Sequence, residues 1–254
     1  IDSIMSSVEE AYKSAVLRKI DCSVIIKESQ IQKEISKLEE KVKSIIEEST
    51  FDFDFVFDSY SFEDKLIMRE LKPILRDSNG NILPIGSFIA ISEKLDLNKE
   101  FDKNVILKAI RFIEKKVIEY KIAINLSIKT ISNIEFIEFI TNLVEIKPNI
   151  LKHILFSITS YSASAYKVEF TEFVKKMNKL NIEILMKRFK TKEFPLEELS
   201  FLKIDYIKID KDLTQNIHNN LIKKHRVKNI VIFGELNNIK IWQKMLNQIV
   251  TMNI

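Results

Sequence analysis

The chain has 254 residues, 46% of them hydrophobic, with 40 basic against 36 acidic side chains and a formal net charge of +4. That length and apolar share allow one long domain, or one domain with a short extension, around a sizeable core. The near balance of charge describes a mixed, solvated surface and excludes the concentrated basic footprint of a DNA- or RNA-binding protein. A single cysteine, Cys22, excludes an internal disulfide framework and fits a reducing, cytoplasmic compartment. No apolar run approaches the roughly 18 residues that cross a bilayer, and no signal peptide is present. Because the first residues already read as a helix, the chain is expected to be part of something longer, with any membrane anchor upstream. Its three glycines (Gly80, Gly86 and Gly234) cannot build a glycine-rich nucleotide loop.

In chain order, Ser7–Lys19 is expected as a helix and Cys22–Ile26 as a strand. Glu28–Glu48 is strongly charged and carries Ile31, Ile35, Leu38, Val42 and Ile45 at alternating spacings of four and three, a heptad seam about two heptads long. Two readings fit it: a helix packing one stripe on its own domain, or a connector that relays a signal or dimerises. Phe51, Phe53, Phe55 and Phe57 alternate with Asp52, Asp54, Val56 and Asp58, which predicts a strand with four rings turned to the core. Leu66–Leu71 is a second strand, followed by a turn at Asp77-Ser78-Asn79-Gly80. Phe101–Ile118 places Val105, Ile106, Ala109, Ile110, Ile113 and Val117 on one helical stripe.

Strands and helices alternate from there on. Strands are predicted at Lys121–Ile128, Ile154–Ser160, Ile182–Phe189, Tyr206–Asp210 and Asn229–Gly234, with Ile249–Ile254 as an eighth. Helices fall at Asn133–Glu145, Ala165–Leu180, Pro195–Leu202 and Asn237–Gln248. The pattern predicts an α/β fold with a parallel sheet, either a (β/α)8 TIM-like barrel or a doubly wound open sheet. In a barrel the C-terminal strand ends carry the chemistry, which singles out Lys187, Arg188 and Lys208.

At these strand ends the chain resembles the EAL family, the barrel phosphodiesterases of cyclic di-GMP. The resemblance is carried by Glu70-Leu71-Lys72, Pro84-Ile85-Gly86-Ser87-Phe88-Ile89, Ile124-Asn125-Leu126-Ser127 and Ser157-Ile158-Thr159-Ser160. It continues through Ile184-Leu185-Met186-Lys187-Arg188-Phe189, Tyr206-Ile207-Lys208-Ile209-Asp210 and Ile232-Phe233-Gly234-Glu235, so it covers about residues 51–250. Residues 1–27 look like the end of a GGDEF domain. The implied organisation is a GGDEF-like remnant at 1–27, a linker or signalling helix at 28–50 and an EAL-type barrel at 51–254 with this helical extension.

The family's hydrolysis implies carboxylates and one asparagine around two divalent cations, with hard oxygen ligands suited to Mg²⁺ or Mn²⁺. Carried over, Glu70 and Asn125 stand at two ligand positions and Lys208 at that of the lysine beside the attacking water. Ser160, Lys187, Arg188 and Phe233 replace the remaining carboxylates, a change from −4 to +2. A cation about 4 Å from a divalent ion meets a repulsion of about 8 kcal/mol at an effective dielectric of ~20. No bound metal or cofactor and no catalysis is therefore expected. His153, His218 and His225 sit apart, without metal-ligand spacing.

Two further departures accompany these. The glycine-bearing loop after the aspartate pair reads Lys190-Thr191-Lys192-Glu193, and the ligand-phosphate arginine falls on Ile74, with Arg76 a stand-in. The interval from Asp210 to Phe233 also reads about ten residues short of the family's. The expected function is a non-catalytic signalling domain: a metal-independent cyclic di-GMP receptor, or an interaction module working as a homodimer or on a protein partner through the barrel and helix 28–48. A working phosphodiesterase is the alternative. For single residues, Glu70 beside Lys187, Arg188 or Lys208 also reads as a plain ion pair, and Asn125 as a cap on backbone groups.

Overall fold

The computed structural model describes residues 28–61, 63–77 and 80–242, with side chains from residue 35 onward. The expectations for residues 1–27 and for a strand at 249–254 lie outside the described residues. Two compact units are present, one holding residues up to Asp52 together with Ile74–Leu97, the other Phe53–Pro73 with the chain from Asn98. In the first unit, helix α1 (Glu28–Glu47) packs on helix α2 (Ile85–Lys94). Val42, Ile45 and Ile46 of α1 are buried, and Lys94 pairs with Glu39 at 2.5 Å.

The second unit is built on one seven-stranded sheet: β1 (Asp52–Tyr60), β2 (Leu66–Ile74), β3 (Lys121–Asn125), β4 (Ile154–Thr159), β5 (Glu183–Phe189), β6 (Tyr206–Ile209) and β7 (Lys240–Trp242). Neighbours follow chain order from β1 to β7, and each pair from β2 to β7 is parallel. A doubly wound sheet reverses its strand order at a switch point. No reversal occurs among these strands, so the sheet is of the singly wound, barrel kind that the α/β alternation predicts. Inside it, Met68, Ala123, Leu155, Leu185, Tyr206 and Trp242 form one packed layer.

Helices cover the other face. Helix α3 (Asn98–Lys115) buries Val105, Ile106, Ala109, Ile110 and Ile113 as its stripe predicts, but stops before Val117, which is fully exposed. The short helix α4 (Ile128–Ile131) follows β3, and α5 (Ile134–Ile146) and α6 (Pro148–Leu151) lead to β4. Helix α7 (Ser160–Ala165) continues directly from β4 into α8 (Lys167–Lys179). Phe156 of β4 meets Phe136 of α5 at 6.3 Å and Phe173 of α8 at 6.1 Å, ring to ring. A single turn, α9 (Leu196–Leu199), leads into β6. Thr159 and Asp210 end their strands by capping the next helix, accepting from Ser162 N at 3.1 Å and from Asp212 N at 2.8 Å.

The last βα unit differs from the prediction. After α10 (Lys211–Thr214) and a 3-10 turn at Ile217–Asn219, residues Leu221–Leu236 form one helix, α11, which contains the stretch read as a strand at Asn229–Gly234. Val227, Ile230, Val231 and Gly234 are its buried residues, at helical spacing. The strand comes after it, within the segment predicted as a helix from Asn237. The strand that follows Asp210 is thus β7 at Lys240 and not a strand ending at Phe233.

Candidate functional site: a cationic pocket at the strand ends

Side chains two apart on a strand share a face. Two residues beyond the packed layer, the strands therefore present Glu70 after Met68, Asn125 after Ala123, Ser157 after Leu155, Lys187 after Leu185 and Lys208 after Tyr206. The register is staggered around the sheet, pairing Asn125 with Ser157 but Glu70 with Ala123, so it is side-chain bonding that joins this row. The layer is polar where the one beneath it is apolar, and four of its five members bond one another. Asn125 Nδ2 donates to Glu70 Oε1 at 3.2 Å, and Lys208 Nζ to Glu70 Oε2 at 3.0 Å. The Lys187 ammonium donates to Glu70 Oε1 at 3.5 Å and to Asn125 Oδ1.

Glu70, 8% exposed, is thus a single carboxylate held between two ammonium groups. Burial pushes its carboxyl up, but Lys187, Lys208 and Asn125 outweigh that and hold it below the usual range. Lys187 runs the other way: burial, with Arg188 and Lys208 adding repulsion, pulls its ammonium down against the support of Glu70.

Above this layer opens a cavity of about 410 Å³, lined by Glu70, Lys187 and Lys208 and also by Phe57, Arg188, Lys190, Lys211 and the carboxylates of Asp210 and Asp212. Two irregularities shape it. Arg188 sits at φ 52°, where the register with β6 shifts between Met186 and Phe189. This bulge lets the successive side chains of Lys187 and Arg188 both line the cavity, which a regular strand forbids. Phe57 has φ 59°, an unusual conformation for a bulky residue, and is 39% exposed with the Lys208 ammonium 4.3 Å from its ring centroid. The expectation of four core rings on β1 fails at this residue: the left-handed turn takes Phe57 off the alternating face to the cavity wall.

The loop after β5 is tied down by ion pairs. Lys190 reaches Asp212 at 3.1 Å and Asp210 at 3.7 Å, and this pairing raises its ammonium's pKa while lowering that of the Asp212 carboxyl. Ser160, fully buried, directs its hydroxyl at Arg188 O (2.8 Å) and Glu193 Oε2 (2.5 Å). It clamps the bulge to the loop and stands outside the polar layer.

The structure therefore gathers Glu70, Asn125, Lys187 and Lys208 in one network, with Arg188 on the wall. On β4 the member of the polar layer is Ser157, whose buried hydroxyl has no hydrogen-bond partner among the described residues. Phe233 lies on α11. Neither Ser157 nor Phe57 was singled out from the sequence: a serine in an apolar strand and an aromatic in an alternating strand carry no signal until register and backbone angles are known. Arg76, the stand-in for a phosphate arginine, donates to Gly80 O at 2.9 Å in the first unit. His153 lies beside Tyr120 O at 3.3 Å.

A pair of divalent ions does not fit this donor set. The layer offers one carboxylate, one amide oxygen and one hydroxyl, and an ammonium already holds both the Glu70 and Asn125 oxygens. Among the described residues no three His, Cys, Asp or Glu side chains converge in a way that could hold a metal.

A singly wound barrel sheet with a charged pocket above it defines the class of domain. The particular family follows from comparison: the model of the EAL domain matches residues 52–244, and the chain belongs to this family. Solved structures of similar fold include the PaMucR phosphodiesterase in complex with c-di-GMP, at 18% identity and TM-score 0.71, covering 82% of this chain and 85% of that one. The FimX EAL domain from Pseudomonas aeruginosa bound to c-di-GMP aligns at 16% identity and TM-score 0.73, over 81% of this chain and 84% of that one. Vibrio cholerae LapD, an S helix-GGDEF-EAL protein without ligand, aligns at 17% identity and TM-score 0.74 over 95% of this chain and 59% of its own. No curated protein matches the chain. No helix among the described residues is long and apolar enough to cross a membrane.

Proposed function

We propose that this chain is a non-catalytic, degenerate EAL domain of a cyclic di-GMP signalling protein, and that its pocket receives cyclic di-GMP by charge, without metal. The carrying observation is the composition of the polar layer: two ammonium groups and one carboxylate at the strand ends, beneath a wall bearing Arg188. Phosphodiester oxygens are hard anions that lysine and arginine hold directly. With no geometry for two divalent ions, the site has nothing to activate a water for in-line attack, while Lys208 and Arg188 remain placed to bind. FimX and PaMucR were solved with c-di-GMP, which supports that ligand for this pocket. LapD carries an S helix and a GGDEF part before its EAL part, which supports reading residues 1–27 as the end of a GGDEF-like domain and helix 28–48 as the connector. The output of such a domain is a homodimer or protein-partner contact through the barrel and that helix, in a cytoplasmic setting.

Calorimetric titration with cyclic di-GMP, in EDTA and in Mg²⁺, tests the reading. Equal affinity in both, reduced about tenfold or more in Lys208→Ala and in Arg188→Ala, is the expected result. Absence of binding by the folded wild type overturns the receptor reading. Release of the linear dinucleotide in Mn²⁺ overturns the non-catalytic one.

A further inference from the structure

We infer that Lys187 serves the pocket as a tethered cation, its ammonium occupying the place of a divalent ion between the Glu70 carboxylate and the Asn125 carbonyl. This deepens the proposed function and rests on it. An ammonium carries three N–H donors and no acceptor. Two are directed at Glu70 Oε1 and Asn125 Oδ1, and the side chain lines the cavity, which leaves one donor for a guest oxygen. Asn125 Nδ2 also donates to the same Glu70 oxygen, so both oxygens that a metal would use converge on one nitrogen and are fixed there.

The backbone that carries this side chain is held on both sides. Lys187 lies between buried Met186 and the bulge at Arg188, whose carbonyl is held by Ser160. Glu70 is then a positioning residue: it holds Lys187 on one oxygen and Lys208 on the other, keeping two like charges apart in one pocket. A phosphodiester entering this site meets a fixed positive charge with no ion to recruit, so its affinity is independent of divalent metal. Exchange of the lysine for a carboxylate has the opposite effect. It releases Glu70 Oε1 and Asn125 Oδ1 from the ammonium and adds a third hard oxygen group, the kind of donor that Mg²⁺ and Mn²⁺ prefer.

Mn²⁺ electron paramagnetic resonance and cyclic di-GMP titration on wild type, Lys187→Asp and Lys187→Met decide the matter, with circular dichroism confirming that each is folded. Wild type is expected to leave Mn²⁺ free, Lys187→Asp to take up one ion, and Lys187→Met to lose cyclic di-GMP affinity tenfold or more in EDTA. If Lys187→Asp does not fold, Lys187→Asn carries the Mn²⁺ arm, because it removes the cation and adds an amide oxygen. Stoichiometric Mn²⁺ uptake by wild type, no Mn²⁺ uptake by a folded Lys187→Asp, or unchanged ligand affinity in Lys187→Met overturns the inference. Failure of wild type to bind cyclic di-GMP sinks the proposed function instead, and the Mn²⁺ arm still reads the tethered cation alone.

Discussion

Glu70 is the hinge of the site's electrostatics. Removing one partner of a buried ion pair leaves the other charge uncompensated, typically at 3–5 kcal/mol, whereas replacing the pair with apolar groups is often neutral. Glu70→Gln strands two lysines at once and is expected to lower urea-unfolding stability by about 3 kcal/mol at neutral pH. Adding Lys187→Met to that variant should recover a good part of the loss. The pH dependence has a definite sign. Because the folded carboxyl is held below its ordinary value, its contribution is complete above pH ~4.5 and is lost as pH falls through the depressed value. Glu70→Gln should therefore flatten the acid limb of the stability profile. At this scale the sequence was informative where it set charged residues in apolar strands: Glu70, Lys187, Arg188 and Lys208 all stand in the pocket. It was silent about Asn125 as the acceptor for Lys187, because a neutral amide, unlike an opposite charge, names no partner.

Among the elements, α11 and β5 show what periodicity reads and what it misses. Ile230, Val231 and Ile232 are β-branched and contiguous, which favours a strand by propensity. The helix wins because Val227, Ile230, Val231 and Gly234 bury one face over 16 residues, and propensity is a weak prior beside packing. The three-residue β7 is too short to announce itself. Gly234 then has a packing role with no bearing on a nucleotide loop. A Cβ there would stand 2.5 Å from Ile241 Cγ1 and 2.8 Å from Ile239 O, so Gly234→Ala should cost about 1–3 kcal/mol in thermal or urea unfolding. On β5, Ser160→Ala leaves Arg188 O and Glu193 without their shared donor. A loss of about 1–2 kcal/mol is expected, with weaker cyclic di-GMP binding, and a change in binding with unaltered stability would contradict the clamp.

For the molecule as a whole, the fold class and the succession of strands up to β6 were legible because βα alternation and capped strand ends are local signals. The closure of the pattern was not, since it depends on which apolar run the sheet accepts. Global stability carries one further signature. Asp102 on α3 is buried, accepts from Ser127 N at 3.0 Å, and is pushed up to about 7 by burial, against the hydrogen bonds of Thr130 and Ser127. A carboxyl raised from 3.8 to about 7 stabilises the fold while protonated, so stability should fall as pH rises from about 4 to about 7. The full excursion corresponds to on the order of 4 kcal/mol. In denaturant midpoints measured across that range, Asp102→Asn should abolish the decline and be the more stable protein at pH 8. An unchanged slope would assign the decline elsewhere.

The β5 bulge also has a consequence for rates. It puts two neighbouring cations at different depths: Arg188 is exposed at the rim, whereas Lys187 and Lys208 keep 17% and 14% of their side chains exposed. Exposed charge steers diffusional encounter and is screened by salt, while desolvated contacts govern how long a complex lasts. Arg188→Ala should therefore slow association and weaken its salt dependence in stopped-flow traces, and Lys208→Ala should quicken release. Capture and retention of one ligand would then be tuned separately, from adjacent positions of a single strand and its neighbour.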